Sequence, residues 1–275
     1  MASNGKTLID EWRYDGSSKF KIAKSDAAVK PFSTGSKASD LERLAEIGTR
    51  LDTLQDILYA EHRRKVLVIL QGMDTSGKDG TVRSVFREMD PLGLRVVSFK
   101  APTPQELAHD YLWRVHAQTP GRGEIVIFNR SHYEDVLITR VHDDIDAAEC
   151  KRRYGHINAF EQMLTDTGTT IVKCFLHISK DEQRERLQGR VDNPDKHWKF
   201  DPSDISEREL WDDYQSAYED AINATATPDA PWYVIPANSK THRNLMVAEI
   251  LLRTLEAMNP AYPAGNPAVA GLKIE

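Results

Sequence analysis

The segment Val66-Leu67-Val68-Ile69-Leu70-Gln71-Gly72-Met73-Asp74-Thr75-Ser76-Gly77-Lys78-Asp79-Gly80-Thr81 joins a short apolar run to a glycine-rich turn that carries a lysine. Consecutive backbone N–H groups in such a turn wrap an anion, and the N-terminus of the next helix adds positive potential. Lys78 reaches the outer phosphates, so the chemistry implied is phosphate binding and phosphoryl transfer. The spacing fits G-x-x-x-x-G-K and then departs from it, because Asp79 stands where Ser or Thr normally meets magnesium. Asp74 is the second departure. An acid beside phosphates is repulsive unless a cation lies between them, so Asp74 is the first choice for holding Mg²⁺ or orienting the attacking phosphate. Gly72, Thr75, Gly77, Asp79 and Gly80 are expected against the ligand, and Thr81 is a weaker source of the missing hydroxyl. The bare pattern arises by chance in roughly one chain in ten of this length. Context therefore decides: a β-branched run precedes it, and Val82, Val85, Phe86 and Met89 follow at helical spacing.

Phosphoryl transfer asks a protein for in-line positioning, metal ions and cations rather than covalent work. A second candidate group is Asn129-Arg130-Ser131-His132-Tyr133-Glu134-Asp135, after another apolar run. Nucleoside monophosphate kinases commonly end this strand in Asp-Arg, the acid near metal and the arginine gripping phosphate. Asn129 replaces that acid; it can hydrogen-bond a metal-bound water but brings no charge, which leaves Asp74 the larger electrostatic share. Arg130 offers a planar fork for phosphate oxygens, with a structural salt bridge as the alternative. Glu134 and Asp135 open the next helix, where acids are favoured anyway. His132 is a chemical candidate for a phosphohistidine, though nothing adjacent looks like its activating base. Lys100 and Arg114 are expected at the second phosphate substrate. Arg184-x-Arg186-x-x-x-Arg190, followed by Lys196 and Lys199, has the make-up of a mobile lid that supplies cations to the transferred group.

These residues need a scaffold, and the pattern supplies an α/β one. A Ser39-x-x-Glu42 capping box opens a helix bearing Leu41, Leu44, Leu51, Leu54 and Leu58. Strands are expected at 66–70, 94–99, 124–128, 169–178 and 232–235. Helices fall at about 80–89, 132–140, 146–166, 180–190, 203–224 and 240–258. Thr103-Pro104 starts one further helix that carries Leu107, Tyr111, Leu112 and Val115 and stops near Thr119-Pro120-Gly121. Strands alternating with helices imply a parallel five-stranded sheet covered on both faces, with ligands at its carboxyl edge. Residues 1–38 form an N-terminal extension in which Trp12, Tyr14, Phe20 and Phe32 anchor a strap. The domain spans 39–258, with a lid at about 184–205, and 259–275 are a loosely held tail.

Of 275 residues, 40% are hydrophobic and 28% charged, the balance of a globular protein with a sizeable core. No apolar run approaches a membrane span, and Met1-Ala2-Ser3-Asn4-Gly5-Lys6 lacks the apolar stretch of a signal peptide. Two cysteines, Cys150 and Cys174, fit no metal spacing, so the expected setting is the cytoplasm. A net charge of −6 gives no field for nucleic acid, whereas local basic clusters suit a narrow polyanion.

Four motifs in order, Gly72 to Thr81, Phe99-Lys100-Ala101-Pro102-Thr103-Pro104, Phe128 to Glu134, and Lys196-His197-Trp198-Lys199-Phe200, resemble the second family of polyphosphate kinases over about 40–258. The resemblance implies a P-loop kinase of thymidylate-kinase-like, three-layer architecture with a helical lid. It implies Mg²⁺-dependent transfer, with Mn²⁺ as a substitute, between inorganic polyphosphate and AMP, ADP or ATP, in a homo-oligomer of two or four copies. By the same resemblance Asp74 and Lys78 are the active-site residues of the loop, Asn129 and Arg130 complete the centre, and Arg186 and Arg190 belong to the lid. Asn129 and Glu134 match the branch called class III, which phosphorylates nucleoside mono- and diphosphates; there Glu134 would help place a metal or water. From the residues alone an ATP-dependent nucleoside monophosphate kinase and a non-catalytic nucleotide or polyphosphate sensor stay open.

Overall fold

The computed structural model describes residues 8–269 and 271–274, so the Met1 to Lys6 segment lies outside the described residues. At its centre is β2 (Lys65–Gln71), whose last six residues are all buried, because helices cover both faces of the sheet. Around it stand β3 (Leu94–Ser98), β4 (Ile125–Asn129), β5 (Thr169–His177) and β6 (Trp232–Pro236). β2 pairs in parallel with β4 and β5, β3 with β4, and β6 with β5. The chain leaves β2 toward one side of the sheet and later crosses to the other, which opens a crevice at the carboxyl end of β2.

The sheet has six strands rather than the five the sequence predicts. The addition is β1 (Arg13–Tyr14), which lies antiparallel on β6 with Arg13 opposite Tyr233 and Tyr14 opposite Trp232. Two residues are too few to show a period-two pattern, so this strand is invisible to periodicity.

Helix α1 (Lys37–Glu61) starts earlier than expected. Ser36 is the cap: its Oγ accepts from Ser39 N at 3.1 Å, while Ser36 N–H donates to Ser39 Oγ at 3.1 Å. Ser39 thus serves as the reciprocal partner inside the box rather than as the cap, and Glu42 is left in solvent. Helix α2 (Lys78–Val85) follows the glycine-rich loop directly. The single helix expected after Thr103 is instead two four-residue turns, α3 (Pro104–Leu107) and α4 (Trp113–His116). Asp110 explains the break: its Oδ1 accepts from Leu112 N at 2.9 Å, offering the backbone a turn in place of the helical ladder.

The remaining helices are α5 (Glu134–Val141), α6 (Ala147–Asp166), α7 (Lys180–Val191), α8 (Ser203–Glu209), α9 (Trp211–Thr225) and α10 (Lys240–Met258). α1, α2 and α10 pack together over one face of the sheet, and α5, α6 and α9 over the other. Among the described residues no helix is long and apolar enough to cross a membrane.

Two histidines pin the strap 15–36 to this frame. His177 Nε2–H donates to Ser25 O at 3.1 Å, and Phe32 N–H donates to His242 Nε2 at 3.1 Å. Burial lowers both imidazoles below the ordinary 6.5; for His242 the nearby Asp40 opposes and Lys30 reinforces that shift. A depressed folded value means the clasp contributes fully above 6.5 and is lost as pH falls through the folded value. Asp135 works in the other direction, because burial pushes its carboxyl up to about 6 and the fold prefers it protonated. The expected result is that the melting temperature of His242→Asn depends less on pH than that of the wild type between about 7.5 and 5.5. Parallel thermal scans check it, and equal slopes would remove His242 from the acid response.

Candidate active site

β2 delivers Gln71 to the crevice, and the chain must then turn sharply to begin α2. Gly72 permits the turn: a Cβ there would lie 2.6 Å from Leu176 O and 2.7 Å from Ser76 Oγ. Gly77 has φ 102° and caps α2, and a Cβ on it would overlap Arg243. Thr75, with φ 64°, holds a left-handed conformation without being glycine, as does Arg130, with φ 63°. Each costs about 1–2 kcal/mol, which the surrounding contacts must offset.

Within this loop Lys78 folds back on the backbone, donating to Gly72 O at 2.6 Å and Met73 O at 3.3 Å. Burial first, and then the charge of Arg130, lowers the Lys78 ammonium below its ordinary value, with Asp74, Glu134 and Asp79 opposing. Arg130 Nη2 donates to Asp74 Oδ1 at 3.0 Å, and both side chains keep part of their surface in the cleft. Asp79, a departure from the usual phosphate-loop pattern, and Asn129, the replacement for the acid at the end of β4, answer each other. Asn129 Nδ2 donates to Asp79 Oδ1 at 2.7 Å, so an amide–carboxylate pair bridges β4 to the first turn of α2.

Two cavities meet at Arg130, which lines both, together with Phe99, Lys100 and Ala101. The first, of about 960 Å³, is lined by Asp74, Thr75, Gly77, Lys78, Asp79, Gly80 and Asn129, and by Arg186, Arg190, Lys196 and Lys199 from α7 and the turn after it. Lys240 and Arg243 join them from α10, making nine basic side chains against five acidic ones, with Phe99 and Ala101 the apolar lining. The second, of about 890 Å³, takes Arg114, Glu134 and Asp135 and has an apolar and aromatic wall that includes Pro102, Leu107, Tyr111, Ile138 and Ile145.

Several expected residues lie differently from the sequence reading. Thr81 is fully buried with its hydroxyl 3.4 Å from Asn244 Oδ1, so it does not reach the cleft. Gly72 lies beneath the loop rather than on the cavity wall. Arg186 is at the wall, but its guanidinium is spent on the backbone: Nη1 donates to Thr75 O at 2.8 Å and Ser76 O at 3.1 Å, and Nη2 to Ala237 O at 2.7 Å and Asn238 O at 2.9 Å. It clamps the loop against the chain after β6. Arg190 likewise ties α7 to the turn after it, donating to Lys199 O at 2.8 Å. Arg114 is half committed, with Nη1 on Lys100 O at 2.8 Å. His132 is 0% exposed, with Nε2 3.2 Å from Glu161 Oε1 and its ring packed between Tyr133 and Phe160, which leaves no path for a phosphoryl group to reach it.

Sequence reasoning missed Arg243. It is 2% exposed, donates through Nη1 to Ser76 O at 3.0 Å, and through Nε and Nη2 to Asn244 Oδ1. Burial, and then the charge of Arg186, pulls it down to about 9. No carboxylate pairs with it among the described residues, and the charge that acts on it is the like charge of Arg186. No local motif marks it; only the packing of α10 on α2 brings it there.

Among the described residues no three His, Cys, Asp or Glu side chains converge. Mg²⁺ is commonly held by one or two carboxylates together with substrate phosphates and water, so it needs no such cluster. Asp74 and Glu134 flank Arg130, and both charges act on it.

A sequence profile described as Polyphosphate kinase 2 (PPK2) matches residues 34–263. An AMP/ADP-polyphosphate phosphotransferase of Meiothermus ruber is 53% identical over 97% of this chain and 100% of its own length. An ADP-polyphosphate phosphotransferase of Rhodopseudomonas palustris is 43% identical over 96% of this chain and 95% of its own. The crystal structure of polyphosphate kinase 2 from Arthrobacter aurescens superposes with a TM-score of 0.91 at 44% identity, covering 99% of this chain and 95% of that one.

Proposed function

This chain belongs to the polyphosphate kinase 2 family, and from that premise we propose that it is a phosphotransferase moving the terminal phosphoryl group of inorganic polyphosphate to ADP and to AMP, in either direction. The observation that carries this reading is the contrast between the two cavities. A nucleotide needs an apolar platform for its base, and the second cavity, whose lining is mainly apolar, provides one; the first is a cation-lined channel around the loop whose lining is mainly polar. The first therefore takes the donor, a chain with about one negative charge per internal phosphate and no base to read. The second takes the acceptor, with its phosphates toward Arg130, which lines both.

Each residue then has a task. Lys78 exchanges its two backbone carbonyls for phosphate oxygens of the donor. Arg130 grips the group in flight from the point where the cavities meet. Asp74 holds Arg130 in its fork geometry and would hold Mg²⁺, or Mn²⁺ in its place, with Glu134 as a second oxygen donor. When bound, that ion gathers phosphate oxygens and neutralises their charge. Glu134 faces the acceptor cavity, where an added carboxylate helps to seat a nucleotide with one phosphate fewer. Lys196 and Lys199 line the channel from above and shield the transfer from water. Assembly into two or four copies in the cytoplasm, where AMP and ADP occur, completes the reading.

Purified protein given polyphosphate, Mg²⁺ and ADP or AMP is expected to form ATP, and EDTA is expected to abolish the reaction. Robust transfer from ATP to AMP with polyphosphate inert would replace this reading with an ATP-dependent nucleotide kinase. Tight binding without turnover across metals and acceptors would replace it with a sensor.

A further inference from the structure

Beside β1, the N-terminal strap borders a third, open cavity of about 720 Å³. Lys19, Lys21, Lys24 and Lys30 line it around Trp12 and Tyr14. All four lysines are exposed, and Lys21 pairs with the largely buried Glu219 at 2.8 Å. Two buried polar atoms on the lining residues lack any partner, Trp12 Nε1 and Ser25 Oγ. Both atoms lie beneath the surface, so it is the ammonium groups that give the wall the chemistry of an anion site. Of the acids there, Asp26 is engaged in its own turn, accepting from Ala28 N at 2.8 Å, and Glu11 is exposed. The concentration of charge is local: residues 19–30 hold four lysines and one acid in a chain whose net charge is −6.

The groove adjoins the catalytic channel. Asn238 N–H donates to Ala27 O in the strap at 3.1 Å, and Asn238 O accepts from Arg186 on the channel wall at 2.9 Å. Lys240, which lines the channel, begins α10, and His242, two residues on, binds the strap at Phe32. Lys196 and Lys240 thus line the channel on one side of this junction, and Lys30 and Lys24 line the strap groove on the other.

We propose that this groove is a docking track for the distal part of a long inorganic polyphosphate chain whose end lies in the catalytic channel. The inference rests on polyphosphate being the donor. A short donor is contained by the channel, whereas a long one must leave it and cross an acidic protein surface, and the strap gives it a cationic exit.

The test is Lys19→Ala/Lys24→Ala/Lys30→Ala in the full chain, assayed with tripolyphosphate and with long-chain polyphosphate. For the long chain KM rises about tenfold with kcat unchanged, and the slope of log KM against log salt falls by roughly 2, as expected for three lost phosphate contacts. With tripolyphosphate KM and kcat stay within about twofold of the wild type, since three exposed contacts that donor does not reach are lost. An unchanged long-chain KM, an equal loss for both donors, or a raised KM for AMP or ADP alone would overturn the track. If the wild type makes no ATP from either donor, the donor reading fails first and takes the track with it.

Discussion

Asp74→Asn lowers kcat by roughly a hundredfold or more, the scale of losing one preorganised electrostatic contact to a transition state, while the protein melts within a degree or two of the wild type. The amide is isosteric and keeps an oxygen for Arg130 Nη2, so the 3.0 Å contact and the fork geometry persist. What is lost is charge. Asp74 offsets the mutual repulsion of Lys78 and Arg130 in a half-buried cleft, and it is the loop carboxylate on the channel wall closest in sequence to the first glycine. Because the side chain keeps a third of its surface in solvent, its removal touches stability little. Steady-state kinetics with saturating polyphosphate and ADP decide the matter, and retained turnover would take Asp74 out of the mechanism.

Glu161→Ala lowers stability by about 3–5 kcal/mol, the usual result of stripping one partner from a buried ion pair. Lys173 is 0% exposed and donates to Glu161 Oε2 at 2.6 Å, to Thr225 O at 2.8 Å and to Tyr133 Oη at 3.1 Å. Tyr133 in turn donates to Glu161 Oε1 at 2.8 Å, the oxygen that also faces His132. Burial works against ionising Glu161, yet Lys173 and His132 prevail and hold its carboxyl below the ordinary value. The knot binds β5, α6 and the end of α9 to the two residues that follow Ser131, so it fixes the segment that presents Arg130 and Glu134. The paired change Glu161→Leu/Lys173→Met removes both charges and is expected to recover most of the loss. Denaturant melts of the single and paired variants check this; a single variant as stable as the wild type would show that Lys173 finds another counter-charge.

Which residues gather in the candidate site was in good part legible, because those signals are local. The glycine spacing, the apolar run before it and the helical run after it placed Asp74, Lys78 and Asp79 in one crevice, and the end of β4 supplied Asn129 and Arg130 beside them. The reciprocal fit of Asp79 and Asn129 was not legible, since the two are fifty positions apart and their contact exists only through strand pairing. Arg186 reads in sequence as a lid arginine, but five of its polar contacts go to Glu182 and backbone carbonyls, a fate set by where α7 lands. Arg243 carries no motif at all. In the fold, long apolar strands and the closing helix α10 were plain from periodicity, whereas β1 was too short and α3 and α4 were split by one aspartate whose side chain outcompetes the ladder.

The central claim is that the turn around Lys78 wraps the phosphates of polyphosphate while the neighbouring cavity seats the nucleotide. A crystal soaked with a short polyphosphate, AMP and Mn²⁺, with the metal located by its anomalous signal, tests it most directly. The account predicts phosphate density against the backbone N–H groups from Thr75 to Lys78, manganese beside Asp74, and the adenine in the cavity lined by Tyr111 and Ile138. Phosphates and metal lodged elsewhere, with Lys78 still on Gly72 O, would contradict it.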